Sequence, residues 1–352
     1  METTSEAAAA TVPPEDLIPV TTDHCQQEQL YDNTVRPILD PTTRTGTRFE
    51  AFHVPKRDLV VRPLPSTPLK LFQRFLPEQT VQQWVDYTNN PANHPDDRQG
   101  QWKPTSYMIY ECFCDMKRRI RIDDLDTIVH GIPWPYSQVS EWSDSLKAVS
   151  LAAVEVGSHI VVDEAICGFQ GHSKQNVTVK NKPTPTGLKI WILATQGYIL
   201  HWIWHTPGGA LGPVGHRRRK KDKDDPYDIN PTQAVVVSLV KTLPKQTYHV
   251  FLNNLFSSPQ LFRQLRLLGV GATGIARTNA GLFEQLVKAK ENDRKGQKMW
   301  SWGRLQSWPT EDNLINQIGW KDNALVIFLS TVYSRTEAVE RLRRRPVSQT
   351  PG

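Results

Sequence analysis

Hydrophobic positions follow a helical period in the first half of the chain. Apolar residues recur three or four positions apart in two neighbouring segments, and Pro77 and the run Asn89-Asn90-Pro91 mark where each segment stops. The spacing predicts helices over residues 68–76 and 78–88, because it gathers the apolar side chains on one face of each: Leu71, Phe72, Phe75, Val81, Trp84 and Val85. A further apolar segment, Tyr107–Cys114, is interpreted as a buried helix.

The second half of the chain alternates strand-like runs with helical segments. Runs rich in β-branched and aromatic residues, separated by short turn signals, predict strands over Ser158–Asp163, Leu188–Thr195, Tyr198–Thr206, Thr247–Leu252 and Val270–Ala276. Capping residues predict where helices begin and end. Asn230-Pro231 begins a helix that ends at Pro244, Ser258-Pro259 begins another that Gly269 closes, and Gly281–Lys290 forms a last one.

The order strand, strand, strand, helix, strand, helix predicts an α/β fold of the ribonuclease-H-like type. At 352 residues the chain is long enough for a full core and two domains. We predict five regions: a disordered arm over 1–50, a helical N-terminal region over 51–150, the ribonuclease-H-like core over 151–295, a β-rich insertion over 296–335, and a basic disordered tail over 336–352. The insertion carries strand-like runs rich in tryptophan, which we expect to pack on the core: Trp300, Trp302, Trp308 and Trp320.

Composition narrows the function classes. The formal net charge of +6 suits a polyanionic partner. The four cysteines form neither a disulfide framework nor a zinc-binding spacing, which favours a reducing compartment. No apolar stretch approaches the ~18 residues of a membrane span, and Met1–Val12 lacks the features of a signal peptide. We expect a soluble protein, nuclear or otherwise cytoplasmic, that is not secreted and does not contact membranes.

Two apolar runs ninety positions apart carry the candidate chemistry. One reaches Asp163 and the other reaches Asn253. Taken alone, Asp163 is most simply a solvated carboxylate at a strand end, and Asn253 a loop residue that caps the following turn.

A basic run is the candidate DNA-binding segment. It lies between the third predicted strand and the helix after it, and it reads Arg217, Arg218, Arg219, Lys220, Lys221. Such a run serves phosphate contact or nuclear import. A solvated loop, balanced by the acidic residues that follow, explains it equally well.

Several blocks of the sequence, in a fixed order, resemble the piggyBac-type DNA transposases. The resemblance extends from about Pro68 to Tyr333 and is strongest after Gly157. Its blocks include Val162-Asp163-Glu164-Ala165, Phe169-Gln170-Gly171-His172-Ser173, Gly187-Leu188-Lys189-Ile190-Trp191, Leu252-Asn253-Asn254-Leu255-Phe256-Ser257-Ser258, Gly271-Ala272-Thr273-Gly274 and Trp320-Lys321-Asp322.

The resemblance implies a DDE-type site in which three aspartates hold Mg²⁺ or Mn²⁺. Asp163 matches the first catalytic aspartate, and Asn253 stands where the family has the second. The third belongs to a Gly-Val-Asp helix that this sequence does not contain before Gly352. We therefore expect weak metal binding at Asp163 and no tightly bound cofactor. The resemblance also implies DNA as a partner and either a homodimer or association with a related transposase. The stretch between Arg121 and Trp142 is shorter than the helical region of the family, so we expect residues 51–150 to form a degenerate DNA-binding and dimerisation subdomain.

Three hypotheses follow for the function. The favoured one is a catalytically inactive, transposase-derived protein that at most binds DNA or another transposase. The second is an active, metal-dependent DNA transposase that performs cut-and-paste strand transfer. The third is a decayed transposon remnant whose product does not fold stably.

Overall fold

The computed structural model describes residues 17–20, 49–89, 119–124, 134–180, 183–206, 229–334 and 341–344. The helix predicted over Tyr107–Cys114 and the basic run at 217–221 lie outside the described residues. The chain divides into two compact units: Phe52–Ala280 is one, and Met1–Ala51 together with Gly281–Gly352 is the other.

The first of these units begins with helices. Both helices predicted from apolar spacing are confirmed, as α1 (Pro68–Phe75) and α2 (Glu78–Asn89). The Thr67 side chain accepts a hydrogen bond from the Lys70 amide and so caps α1. Two more helices follow, α3 (Trp134–Ser137) and α4 (Ser140–Ala152).

A mixed sheet forms the centre of the same unit. Its strands are β4 (His159–Gly168), β5 (Asn176–Thr178), β6 (Thr186–Thr195), β7 (Tyr198–Trp204), β8 (Tyr248–Leu252) and β9 (Val270–Ile275). β4 is antiparallel to β6, and β5 and β7 are both antiparallel to β6. β8 runs parallel to β4 on one side and to β9 on the other. A separate short pair, β2 (Val60–Val61) and β3 (Val154–Glu155), is antiparallel.

Two capped helices connect the parallel strands. α5 (Pro231–Val240) begins at Asn230, and α6 (Pro259–Leu267) begins at Ser258, as the sequence predicts. Gly269 follows α6 with φ of 75°, a left-handed conformation that glycine adopts without strain. The core between the helices and the sheet is aliphatic and aromatic. Its fully buried side chains include Ile160, Leu193, Val235, Leu239, Val250, Leu261 and Phe262.

The first core strand corrects one prediction. We expected it to end at Asp163, but β4 continues to Gly168. Beyond Asp163, β4 is hydrogen-bonded to β6, whose pairing continues to Gly187. The pairing of β4 with β8 ends at Val162. Asp163 therefore lies in mid-strand, at the point where the parallel neighbour ends.

The second unit contains a helix and an antiparallel three-stranded meander. These are α7 (Glu284–Arg294), β10 (Leu305–Pro309), β11 (Asn316–Lys321) and β12 (Leu325–Ser330). Trp300 and Trp302 were expected in strand-like surroundings, but both precede β10 in a loop. Two further short strands pair antiparallel, β1 (Leu17–Val20) and β13 (Arg341–Arg344); both fall in segments where composition predicts no regular structure. Within the described residues no helix has the length and apolar character needed to cross a membrane.

Candidate functional site

The register of two parallel strands brings the two candidate residues together. The pairing of β4 with β8 begins at His159 and His249 and ends at Val162 and Leu252. The residue after this last pair is Asp163 on β4 and Asn253 after β8. The Asn253 Nδ2 donates a hydrogen bond of 2.8 Å to the Asp163 Oδ1. Asp163 is exposed and Asn253 half-buried. Residues ninety positions apart therefore form one polar site at the end of β8.

Both ends of the Asn253 amide have a partner. Its Nδ2 faces Asp163, and its Oδ1 accepts a 2.8 Å hydrogen bond from the Leu255 backbone N–H. Rotating the amide by half a turn would set its oxygen against a carboxylate oxygen and its NH₂ against an N–H. Because both neighbours oppose that rotation, the amide orientation is fixed by its surroundings.

One oxygen of Asp163 is engaged by two N–H donors. Besides the Asn253 amide, the backbone N–H of Glu164 donates to the same Oδ1 over 2.8 Å. Glu164 itself does not join the site, because adjacent strand residues point to opposite faces. The cross-strand register agrees, since Asp163 pairs with Ile192 and Glu164 with Trp191.

The turn that carries Asn253 lies where β9 approaches the end of β8 closely. The Ser257 Oγ donates to the Asn253 carbonyl oxygen over 3.0 Å. Gly274 of β9 lies beneath: a Cβ there would sit 2.4 Å from the Ser257 Oγ and 2.5 Å from the Leu252 carbonyl oxygen. Only a residue without a side chain leaves this space free. The Gly271–Gly274 block therefore positions the site, a role that its sequence alone did not disclose.

A buried hydrogen-bond network joins the same turn to two helix starts. Ser258 Oγ accepts from the Leu261 N–H at the start of α6 and from the Gln233 Nε2, at 3.2 and 2.8 Å. Gln233 also completes a capping box with Asn230 at the start of α5. The network fixes the backbone on which Asn253 sits, and Gln233 was not recognised from the sequence as a member of it.

One basic side chain reaches the edge of the site. The Arg277 Nη2 donates to the Asn254 Oδ1 over 3.4 Å, and Arg277 is exposed. The sequence offered no signal for this residue, because it lies outside every basic run. The predicted DNA-binding residues 217–221 lie outside the described part of the chain. Asp322, an alternative carboxylate, occupies the turn between β11 and β12.

The sheet order is that of a ribonuclease-H-like fold of the DDE type. A family model described as Transposase IS4 matches residues 95–350, most of the chain. The chain belongs to this family, as a member of its piggyBac type.

Two relatives support the assignment. Human PiggyBac transposable element-derived protein 2 is 30% identical over 118 residues, which are 32% of this chain and 18% of the human protein. A chain of the cryo-EM structure of a piggyBac transposase synaptic complex with hairpin DNA superposes with a TM-score of 0.62 at 16% identity. That match covers 80% of this chain and 65% of the transposase chain. The chain thus spans less than two thirds of either relative. The predicted family and the predicted fold class are both confirmed.

Proposed function

We propose that this piggyBac transposase-derived protein binds DNA but does not cleave it. The observation that carries the proposal is the orientation of the Asn253 amide, which presents an N–H donor to Asp163 where a DDE enzyme needs a second anionic oxygen. DNA binding would operate in the nucleus, alone or together with a related transposase chain.

The residues of the site do not fit a two-metal centre. The two Mg²⁺ or Mn²⁺ ions of such a centre lie about 4 Å apart, and both require hard, anionic oxygen ligands. Here the Asn253 oxygen is turned toward the Leu255 N–H, and one Asp163 oxygen already accepts two hydrogen bonds. Within the described ranges no three His, Cys, Asp or Glu side chains form a group that could hold a metal ion.

Charge and position support DNA association. The chain carries a formal net charge of +6, and Arg277 holds a guanidinium at the edge of the site. Phosphate contacts of this kind give affinity without sequence readout. The structurally similar transposase was solved in complex with hairpin DNA, which adds support for the same class of ligand here.

A cleavage assay tests the proposal on the full chain. Transposon-end duplexes are incubated with Mg²⁺ or Mn²⁺, and wild type is compared with Asp163→Ala. We expect no metal-dependent nicking by either protein. We also expect both to bind the duplex, with affinity that falls as salt is raised. Nicking by wild type that Asp163→Ala abolishes would establish the active-transposase alternative instead.

Metal binding gives a second readout that does not depend on finding the right DNA end. Electron paramagnetic resonance measures free Mn²⁺ in the presence of wild type or Asp163→Ala, and we expect the same free Mn²⁺ with both. Cooperative melting of the full chain addresses the remaining alternative, because a decayed product that does not fold would melt without a transition.

A further inference from the structure

The loop between α7 and β10 concentrates positive charge. The last residue of α7 and the loop after it, residues 294–304, are here called the basic–aromatic loop and include Arg294, Lys295, Lys298 and Arg304. No aspartate or glutamate occurs between Asp293 and Glu311. A basic run of this kind attracts polyanions.

The backbone of the basic–aromatic loop is held in a defined shape. Gln297 N–H donates to the Asn292 carbonyl over 2.7 Å, and Gly303 N–H donates to the Lys321 carbonyl over 2.8 Å. Lys298 adopts a left-handed φ of 44°, which is unfavourable for a residue with a side chain and is maintained here by the surrounding bonds. The exposure of the loop's side chains is therefore a property of a fixed turn.

The two tryptophans of the loop differ in exposure, since Trp300 packs against β11 and Trp302 is exposed. Trp300 packs over Gly319 of β11, where an added Cβ would lie 2.9 Å from the indole ring. The Arg304 guanidinium lies 5.2 Å from the Trp300 ring centroid. Two residues after this anchor, Trp302 is 50% exposed, and the neighbouring Met299 is 58% exposed.

We propose that the basic–aromatic loop binds single-stranded nucleic acid. Trp302 stacks on a base, while Lys298 and the cations beside it contact the backbone phosphates. An exposed aromatic ring beside clustered positive charge is the chemistry by which proteins bind single strands, because every base offers a π-face and every nucleotide a phosphate. An acidic protein would satisfy the charges but would leave the ring without a matching partner. The inference rests on the proposed DNA association and assigns it a surface.

Fluorescence anisotropy with labelled oligonucleotides tests the assignment on the full chain. The probes are an oligothymidylate, an abasic strand of the same length and a duplex. Trp302→Ala should weaken oligothymidylate binding about 5- to 150-fold, the range for losing one stacked base, and should leave the abasic strand unchanged. Trp302→Phe should recover most of the loss. Lys298→Gln should weaken both single strands and reduce the slope of log affinity against log salt by about 0.7.

Matched variants elsewhere control for surface changes. Leu267→Ala alters an apolar side chain that is 67% exposed, and Lys245→Gln removes an exposed charge; neither should change oligothymidylate binding. If wild type binds DNA and Trp302→Ala binds equally well, the loop assignment is wrong while the proposed function stands. If wild type binds no probe at all, the DNA association itself fails. Tighter binding to polyaspartate than to oligothymidylate would overturn the assignment in favour of an acidic protein partner.

Discussion

Restoring the aspartate at position 253 should destabilise the protein. In Asn253→Asp the hydrogen bond from Nδ2 to Asp163 Oδ1 becomes a contact between two carboxylates. Two unit charges about 4 Å apart repel by about 1 kcal/mol in water and about 4 kcal/mol at an effective dielectric constant near 20. Asp163 is exposed and residue 253 half-buried, so the repulsion lies between these values. Adding about 1 kcal/mol for the lost hydrogen bond, we expect a loss of about 2–5 kcal/mol at pH 7.

Urea denaturation of the full chain measures this loss, with Asn253→Ala as the control. The control loses the same hydrogen bond without adding a charge, so it isolates the repulsion. At pH 7 Asn253→Asp should be the less stable of the two. The difference should shrink as the pH falls toward 4, because the carboxylate pair takes up a proton, and it should shrink in MnCl₂, because a cation screens the pair. We expect no metal-dependent cleavage from Asn253→Asp, since no third acidic ligand joins the pair among the described residues.

Two results would refute the reasoning. Equal stability of Asn253→Asp and wild type at pH 7 would mean that the amide does not bridge the two strands as described. DNA cleavage by this single variant in Mg²⁺ or Mn²⁺ would mean that a ligand beyond Asp163 and residue 253 completes the site.

Three further predictions concern stability. Lys321→Met should lower the free energy of unfolding, measured by urea denaturation, by about 3–5 kcal/mol, because the buried Asp293 carboxylate loses the ammonium group 2.8 Å away. The double variant that also carries Asp293→Leu should recover most of this loss. Burial lowers the pKa of His249 to about 3, so as the pH falls the unfolded chain takes up this proton first. The contribution of His249 to stability should be level above pH 6.5 and should fall by roughly 1.4 kcal/mol per pH unit from there to about pH 3. Burial also lowers the pKa values of His201 and His205, so His249→Gln should reduce the slope of stability against pH without abolishing it. Gly274→Ala should lower the melting temperature and shift the amide resonance of Asn253, while an unchanged resonance would show that the strands can separate to admit the methyl group.

Local signals in the sequence predicted most of the core. Asn230 and Ser258 predict where helices start, because each side chain accepts a hydrogen bond from the backbone N–H three residues further on. Gly269 announces a helix end because its left-handed φ suits only glycine without strain. These signals act over a few residues, so a single sequence displays them. β5 was not predicted, because a three-residue edge strand (Asn176–Thr178) gives too short an alternation.

Features that depend on long-range contacts could not be predicted in the same way. Trp300 packs over Gly319, whereas Trp302 is half exposed, and nothing in the local sequence distinguishes the two tryptophans. The ion pair of Asp293 with Lys321 likewise joins a helix to a strand edge. Burial alone would raise the pKa of Asp293; the hydrogen bonds from Lys321 and the Leu325 N–H, with the lysine charge, leave it lowered instead.

Whether residue 253 presents an oxygen or an N–H group to Asp163 determines whether the site can bind a cation. The sequence predicted two apolar runs ninety positions apart that reach Asp163 and Asn253, and parallel pairing of β4 and β8 brings these two residues into contact. It could not predict which end of the amide faces the carboxylate. The Leu255 backbone N–H makes that choice, because it donates a hydrogen bond to the Asn253 Oδ1 and so directs the Nδ2 toward Asp163. An aspartate could keep that turn bond with one oxygen and offer the other to a cation. An asparagine that keeps this bond must instead present an N–H donor. The hydrogen bond from Leu255 therefore makes residue 253 a hydrogen-bonding partner of Asp163 and not a metal ligand.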